Sequence, residues 1–153
     1  MKHDELQKAL RNSDPLTRAR LLEKLPPDSK ENIVQCVVES LADESLRVRG
    51  EAFAWLIAVD DDISNMISKN LHHIDRHIRG YCALVLANRG NSNKAFEISR
   101  LVKDESSMVR SCAVGALGYL KSIEYSGAIL ALLDDDSKEV RESAKHAVKI
   151  INL

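Results

Sequence analysis

Leu41-Ala42-Asp43-Glu44-Ser45-Leu46-Arg47-Val48-Arg49 returns as Val102-Lys103-Asp104-Glu105-Ser106-Ser107-Met108-Val109-Arg110 and again as Leu133-Asp134-Asp135-Asp136-Ser137-Lys138-Glu139-Val140-Arg141. The arginine that closes each copy has counterparts at Arg18 and Arg79, so five arginines stand 31, 30, 31 and 31 residues apart. A fixed period of this length marks a repeat architecture, in which each unit buries its apolar face against its neighbours. It divides one repeat domain, 1-153, into units at approximately 1-27, 28-59, 60-90, 91-121 and 122-153.

Counting from the arginine separates positions the architecture needs from positions free to vary. One residue before it stand Thr17, Val48, Ile78, Val109 and Val140; three after it come Leu21, Ala52, Cys82, Ala113 and Ala144; seven after it, Leu25, Leu56, Leu86, Leu117 and Val148. Apolar residues at steps of four, four and three form one stripe of an α-helix. Four residues before each arginine are Asp14, Ser45, Asp75, Ser106 and Ser137, whose side-chain oxygens are suited to accept a free N–H of the first turn. The spacing predicts second helices over 15–25, 46–58, 76–88, 107–120 and 138–151. An apolar-periodic run precedes each cap, so each unit reads as a helical hairpin. Breaks are expected at Pro26-Pro27-Asp28, Asp60-Asp61-Asp62, Gly90-Asn91-Ser92-Asn93 and near Ser122. The fold class is therefore all-α, a right-handed α-solenoid of five hairpins.

Composition narrows the function classes. The net charge is −1 and the pI near 6.5, so no global field recruits nucleic acid or an anionic membrane. Neither a signal peptide nor an 18-residue apolar run is present, and a cytoplasmic location is expected. Cys36, Cys82 and Cys112 occur singly, as buried reduced thiols do, with a Cys82–Cys112 redox pair as the alternative. His73 and His77 have the i, i+4 spacing of metal ligands, but the cap Asp75 lies between them, so the pair straddles a turn and reads as exposed polar chain. No catalytic set, metal site or cofactor is predicted.

The consensus Leu-x-Asp-x-Ser-x-x-Val-Arg-x-x-Ala-x-x-Ala-Leu resembles the HEAT repeat, and its short form is similar to the HEAT-like repeats of the phycobilisome lyase group. This resemblance covers essentially the whole chain. It implies a structural ladder between neighbouring repeats, with Asp43, Asp104 and Asp135 as acidic rungs and Arg49, Arg79, Arg110 and Arg141 as their arginines. Asn12 and His73 stand at the acidic position in the first and third units and depart from the pattern. An arginine fork can bond a carboxylate and helix-end carbonyls together, which makes the set a stacking device.

The resemblance also implies that the second helices line a concave face. In the middle units that face would present Gly50, Ala54, Gly80, Leu84, Ser111 and Gly115, without charge and flanked by Phe53 and Tyr81. Glycine within a helix costs roughly 0.5–1 kcal/mol relative to alanine, so each needs a reason. Small residues could let successive helices pack closely, or they could form a shallow uncharged groove for a partner segment; the sequence leaves both open. The last unit switches to Glu142, Lys145, His146 and Lys149, a solvated cap, and the first is degenerate at Asn12 and Thr17. Among enzymes of similar build, the diiron hydroxylases carry His-Glu dipeptides, which this chain lacks. HEAT-like DNA glycosylases use a basic groove with tryptophan and aspartate, whereas this groove is neutral and Trp55 sits at a core position. The expectation is a non-catalytic scaffold or assembly factor that binds another protein's helical or extended segment, as a monomer or weak homo-oligomer. The alternative is an auxiliary protein of the bilin-lyase type, acting on a chromophore or its carrier.

Overall fold

The computed structural model describes residues 1–153, and the chain is helical throughout, without strands. Ten α-helices run α1 (His3–Asn12), α2 (Pro15–Lys24), α3 (Glu31–Glu39), α4 (Leu46–Ala58), α5 (Ser64–Lys69), α6 (Arg76–Asn88), α7 (Ala95–Ser99), α8 (Ser107–Tyr119), α9 (Ser126–Ala131) and α10 (Lys138–Ile151). They pair as five hairpins, and the second helices start and stop within a residue of the bounds the period predicts. From α3 onward the first helix tightens into a short 3₁₀ turn before the hairpin bend, at Ser40–Ala42, Asn70–His72, Arg100–Lys103 and Leu132–Asp134.

The chain forms two compact bodies, Met1–Met66 and Ile67–Leu153, dividing inside α5. In the N-terminal body α2 packs along α4, and α3 lies against both α1 and α4. Leu6, Leu22, Val37, Leu41, Val48 and Leu56 are fully buried there, each side chain contributing about 1.5–3 kcal/mol of transfer free energy. Here α2 departs from the predicted stripe. Thr17 is exposed and Leu21 half-buried, whereas Ala19 and Leu22 are fully buried. In this body α2 packs chiefly on α4, and it turns Ala19 and Leu22, not Thr17, into the core. In the C-terminal body α8 lies between α6 and α10, around a core that includes Ile78, Leu86, Ile98, Val109, Leu117 and Ile129.

Helix caps follow the prediction in two units and differ in three. Asp14 accepts from Leu16 and Thr17 N–H, and Asp75 from His77 and Ile78 N–H. Ser45, Ser106 and Ser137 occupy the cap position in backbone terms, but their hydroxyls accept no cap bond. In those units the aspartate two residues earlier holds the turn instead, its Oδ1 accepting the serine N–H at 2.8–2.9 Å.

The C-terminal ends divide by body. Eleven residues after the arginine, Gly90, Lys121 and Asn152 have φ of 72°, 52° and 56°. Each is followed by a six-to-one bond, Asn91 N–H to Leu86 C=O, Ser122 to Leu117 and Leu153 to Val148, which closes α6, α8 and α10 with the same left-handed cap. By contrast, α2 and α4 leave through extended residues, Leu25 (ψ 118°) and Val59 (ψ 121°).

Candidate functional site

The charged rungs are laid out on the hairpin turns. Arg79 donates from Nη1 to the carbonyls of His73 and Ile74 in its own turn, both at 2.9 Å, and grips Asp104 of the next unit through Nε and Nη2 at 2.8 and 2.9 Å. Arg110 repeats this on Asp104 C=O at 2.9 Å and on the Asp135 carboxylate at 2.9 and 3.0 Å. Arg141 bonds the Asp135 and Asp136 carbonyls. Arg49 donates to Asp43 and Glu44 C=O, and its Nε has no hydrogen-bond partner. Arg18, absent from the expected ladder, makes a further rung. Its Nη2 donates to Asp43 at 2.9 Å and its Nη1 to Ser13 C=O at 2.7 Å, while Nε faces Asp43 Oδ2 at 2.8 Å off the hydrogen-bond line. Arg18 belonged to the arginine period all along; the missing acid at Asn12 hid a rung that runs forward, to Asp43.

Two of the rung carboxylates, Asp104 and Asp135, are shifted by their pairs. For Asp104 burial alone would raise the carboxyl pKa, but the bonds from Arg79 and Ser106 N–H outweigh it and hold it below the usual carboxylate range. The hydrogen bonds from Arg110 likewise lower that of Asp135. Arg79 and Arg110 use Nε and both terminal nitrogens inside the fold, so these two rungs offer no open acid, base or oxyanion site.

At the histidine turn, His73 Nδ1 accepts the Asp75 N–H at 3.0 Å, the task that Asp43, Asp104 and Asp135 perform in their own turns. His77 lies 3.4 Å from Asp75 and stacks on Tyr81. No group of three His, Cys, Asp or Glu side chains is arranged to hold a metal ion. Cys36, Cys82 and Cys112 are free thiols. Burial pushes the Cys112 pKa up to about 11, which leaves it protonated and poorly nucleophilic at neutral pH.

The glycines of the second helices fall into two kinds. Gly80 is buried in the seam between α6 and α8, where a Cβ would stand 3.1 Å from Cys112 Sγ and 3.2 Å from Met108 Cε. Gly118 sits in the seam between α8 and α10, where a Cβ would stand 2.7 Å from Ala147 Cβ and 2.9 Å from its Cα. Both are there because neighbouring helices approach closely, so Gly80 is removed from the expected docking surface. Gly50 and Gly115 face open space, where a Cβ would meet nothing within 4 Å. Of the other expected surface residues, Ala54 is exposed, while Phe53, Tyr81, Leu84 and Ser111 are half-buried. Ser111 Oγ lies 2.7 Å from Ser143 Oγ on α10.

These residues divide between the two bodies. Gly50, Phe53 and Ala54 belong to the N-terminal body; Tyr81, Leu84, Ser111 and Gly115 belong to the C-terminal body. In the latter, α8 carries a single charged residue, Arg110, which is taken up by the ladder. Its open face is therefore uncharged from Ser107 through Ser111 and Gly115 to Tyr119, the last 58% exposed. On α10, Glu142, Lys145, His146 and Lys149 lie outside the buried stripe of Val140, Ala144, Ala147 and Ile151. No helix is long and apolar enough to cross a membrane.

A cleft that the period did not flag lies in the N-terminal body between α2 and α4. It measures about 250 Å³ and is lined by Leu22, Glu23, Glu51, Ala54, Trp55 and Ala58, with Leu25 and Pro27 at one end. The Trp55 indole N–H donates to Leu25 C=O at 2.9 Å.

Comparison with known proteins agrees with this geometry. No curated protein matches the chain in sequence. Among solved structures it is similar to human deoxyhypusine hydroxylase (25% identity, TM-score 0.62, covering 83% of this chain and 46% of that one). It is also similar to the CpcE–CpcF complex of phycocyanin lyase from Nostoc sp. (16%, 0.64, 99% and 65%) and to the YibA protein of Escherichia coli (20%, 0.67, 99% and 59%). The chain thus spans about half to two thirds of the length of these relatives, and at 16–20% identity the likeness to the latter two is one of fold. The family profile for HEAT repeats matches residues 64–149. With more than half its length so matched, and with the arginine rungs and paired helices that the repeat requires, the chain belongs to the HEAT-repeat family.

Proposed function

We propose that this protein is a non-catalytic binding scaffold, and that the second-helix face of its C-terminal body, around Tyr81, Leu84, Ser111, Gly115 and Tyr119, docks a helical or extended segment of another protein. The observation that carries this reading is the uncharged open face of α8. Its 13 residues hold one charge, and that charge is spent inside the fold. A soluble helix normally keeps charged side chains on its outer side, and an uncharged strip with Ser107, Ser111 and Gly115 half-buried and Tyr119 exposed fits a surface that is covered in use. The open glycine Gly115 permits close backbone approach there, at a helix-propensity cost of up to about 1 kcal/mol that the fold itself does not require. Gly50 and Ala54, with Phe53 beside them, give the N-terminal body a smaller surface of the same character.

Gly115→Arg tests the reading without disturbing the core, because the new side chain starts from open space. Partners captured from a lysate of the source organism by the wild-type protein, and lost with this variant while the circular dichroism spectrum and melting temperature hold, support docking on this face. Retention of every partner by Gly115→Arg overturns it. Gly80→Arg is unsuitable, since it would drive a side chain into Cys112 and Met108.

A further inference from the structure

We infer that the cleft between α2 and α4 is a receptor for an arginine side chain presented by a protein partner, with Glu23 and Glu51 as its charged lip and Trp55 in its floor. The inference deepens the scaffold reading and rests on it, but it concerns the N-terminal body and not the α8 face.

The repeat itself shows that these carboxylates are not architectural. Glu23 lies five residues after its arginine and Glu51 two after the next, so equivalent pairs can be read off in the other body. They are Leu84 with Cys112 between α6 and α8, and Gly115 with Ser143 between α8 and α10. All four are uncharged. Only the α2–α4 seam places two carboxylates at positions that stacking fills with small or apolar groups. Neither glutamate makes a hydrogen bond or ion pair within the fold, in contrast to Asp43 in the same body, which holds Arg18. The cations of α2 do not neutralise them either, because Arg20 and Lys24 line a separate cleft with Met1, Thr17, Leu21 and Pro26.

The rest of the cleft fits a guanidinium rather than a hydrated metal ion or an ammonium. Ala54 and Ala58, both exposed, supply aliphatic surface for the three methylenes of an arginine stem. Trp55 is only 5% exposed and its indole N–H is already bonded to Leu25 C=O, so the edge of it that borders the cleft is apolar, a surface suited to a weakly hydrated planar cation. Two carboxylates then meet the fork's donors. At about 250 Å³ the space suits one long side chain and not a larger ligand.

Trp55 is the only tryptophan in the chain, so its fluorescence and its indole NMR signal report on this cleft alone. The probe is a capped, otherwise neutral heptapeptide with one central arginine, titrated at low ionic strength beside the same peptide carrying citrulline. The expected result is a saturable shift of the Trp55 signals with the arginine peptide, at least tenfold weaker with citrulline. The Glu23→Gln/Glu51→Gln double variant, which removes no internal bond, should likewise weaken the response at least tenfold. An equal response to both peptides, an undiminished response in the double variant, or no response at millimolar peptide each overturns the inference. Partner capture separates this from the scaffold reading. A partner lost with Gly115→Arg but kept by the double variant leaves the α8 reading standing and removes the arginine receptor.

Discussion

In the C-terminal body α6, α8 and α10 all close on a left-handed residue at the same repeat position, whereas in the N-terminal body α2 and α4 run straight into extended chain. The two bodies share the arginine period, so the period does not dictate how a helix ends. Local sequence does. Leu25 precedes Pro26, whose ring disfavours helical geometry in the residue before it, and Val59 is β-branched and poorly suited to positive φ. Gly90 and Asn152 belong to the types that enter the left-handed region readily. Lys121 does not, and it is held there by the Ser122 N–H bond to Leu117. The C-terminal body therefore repeats its geometry more faithfully than its sequence, and packing has imposed the cap on Lys121.

The rungs supply the largest test of that difference. Asp104→Ala strands the Arg79 guanidinium and removes two charge-assisted bonds, and it is expected to cost about 3 kcal/mol in urea unfolding. Gly118→Ala should cost about 2 kcal/mol, since its methyl group would overlap Ala147 and the helices must part. Gly115→Ala, three residues earlier on the open side, should be neutral or stabilise by up to about 1 kcal/mol; equal losses at the two sites would break the division between seam and surface. Gly90→Ala puts a Cβ at φ 72° and is expected to lose about 1 kcal/mol. Lys121→Gly should gain about 0.5 kcal/mol by relieving strain at φ 52°, and Asp60→Gly, the equivalent position after α4, should bring no gain. A gain at Asp60 as large as that at Lys121 would show that the two bodies end their helices alike.

Acid sharpens the same picture. The Asp104 and Asp135 carboxyls are held below their ordinary pKa. The stability they contribute is therefore complete above the unfolded-state value of about 3.9 and is lost as pH falls through their lower folded values. The urea midpoint of the wild type should drop as pH is lowered from about 5 to about 2.5, and Asp104→Asn should show a lower midpoint at the upper end of that range and a shallower fall. An unchanged slope in that variant would remove Asp104 from the acid response.

Much of this molecule is legible in the chain. The arginine spacing carries the five hairpins, and the stripe of Val48, Ala52 and Leu56 carries the face of α4 that is buried. The misreadings share one cause, which is that a residue's offset within a repeat says nothing of how closely the neighbouring helix approaches. Gly80 and Gly115 read alike as small, uncharged surface positions, yet one faces Met108 and Cys112 while the other faces open space. The serines before α4, α8 and α10 read as caps, yet an aspartate two residues earlier holds each turn, because its longer side chain also reaches the arginine of the preceding unit in the rungs at Asp43, Asp104 and Asp135. Glu23 and Glu51 stand 28 residues apart in sequence, and no motif joins them; the cleft exists because α2 lies along α4.

By itself the sequence determined that this chain is a stack of helical hairpins, since periodicity and apolar spacing are properties of the chain alone. It also determined that five arginines recur in register. Tertiary structure decided which glycines are seams and which are surface, and that Arg18 reaches forward to Asp43. It decided too that two unpaired glutamates share an aromatic-floored cleft. Those outcomes depend on distances between helices, set by the packing of many side chains at once and encoded at no single position.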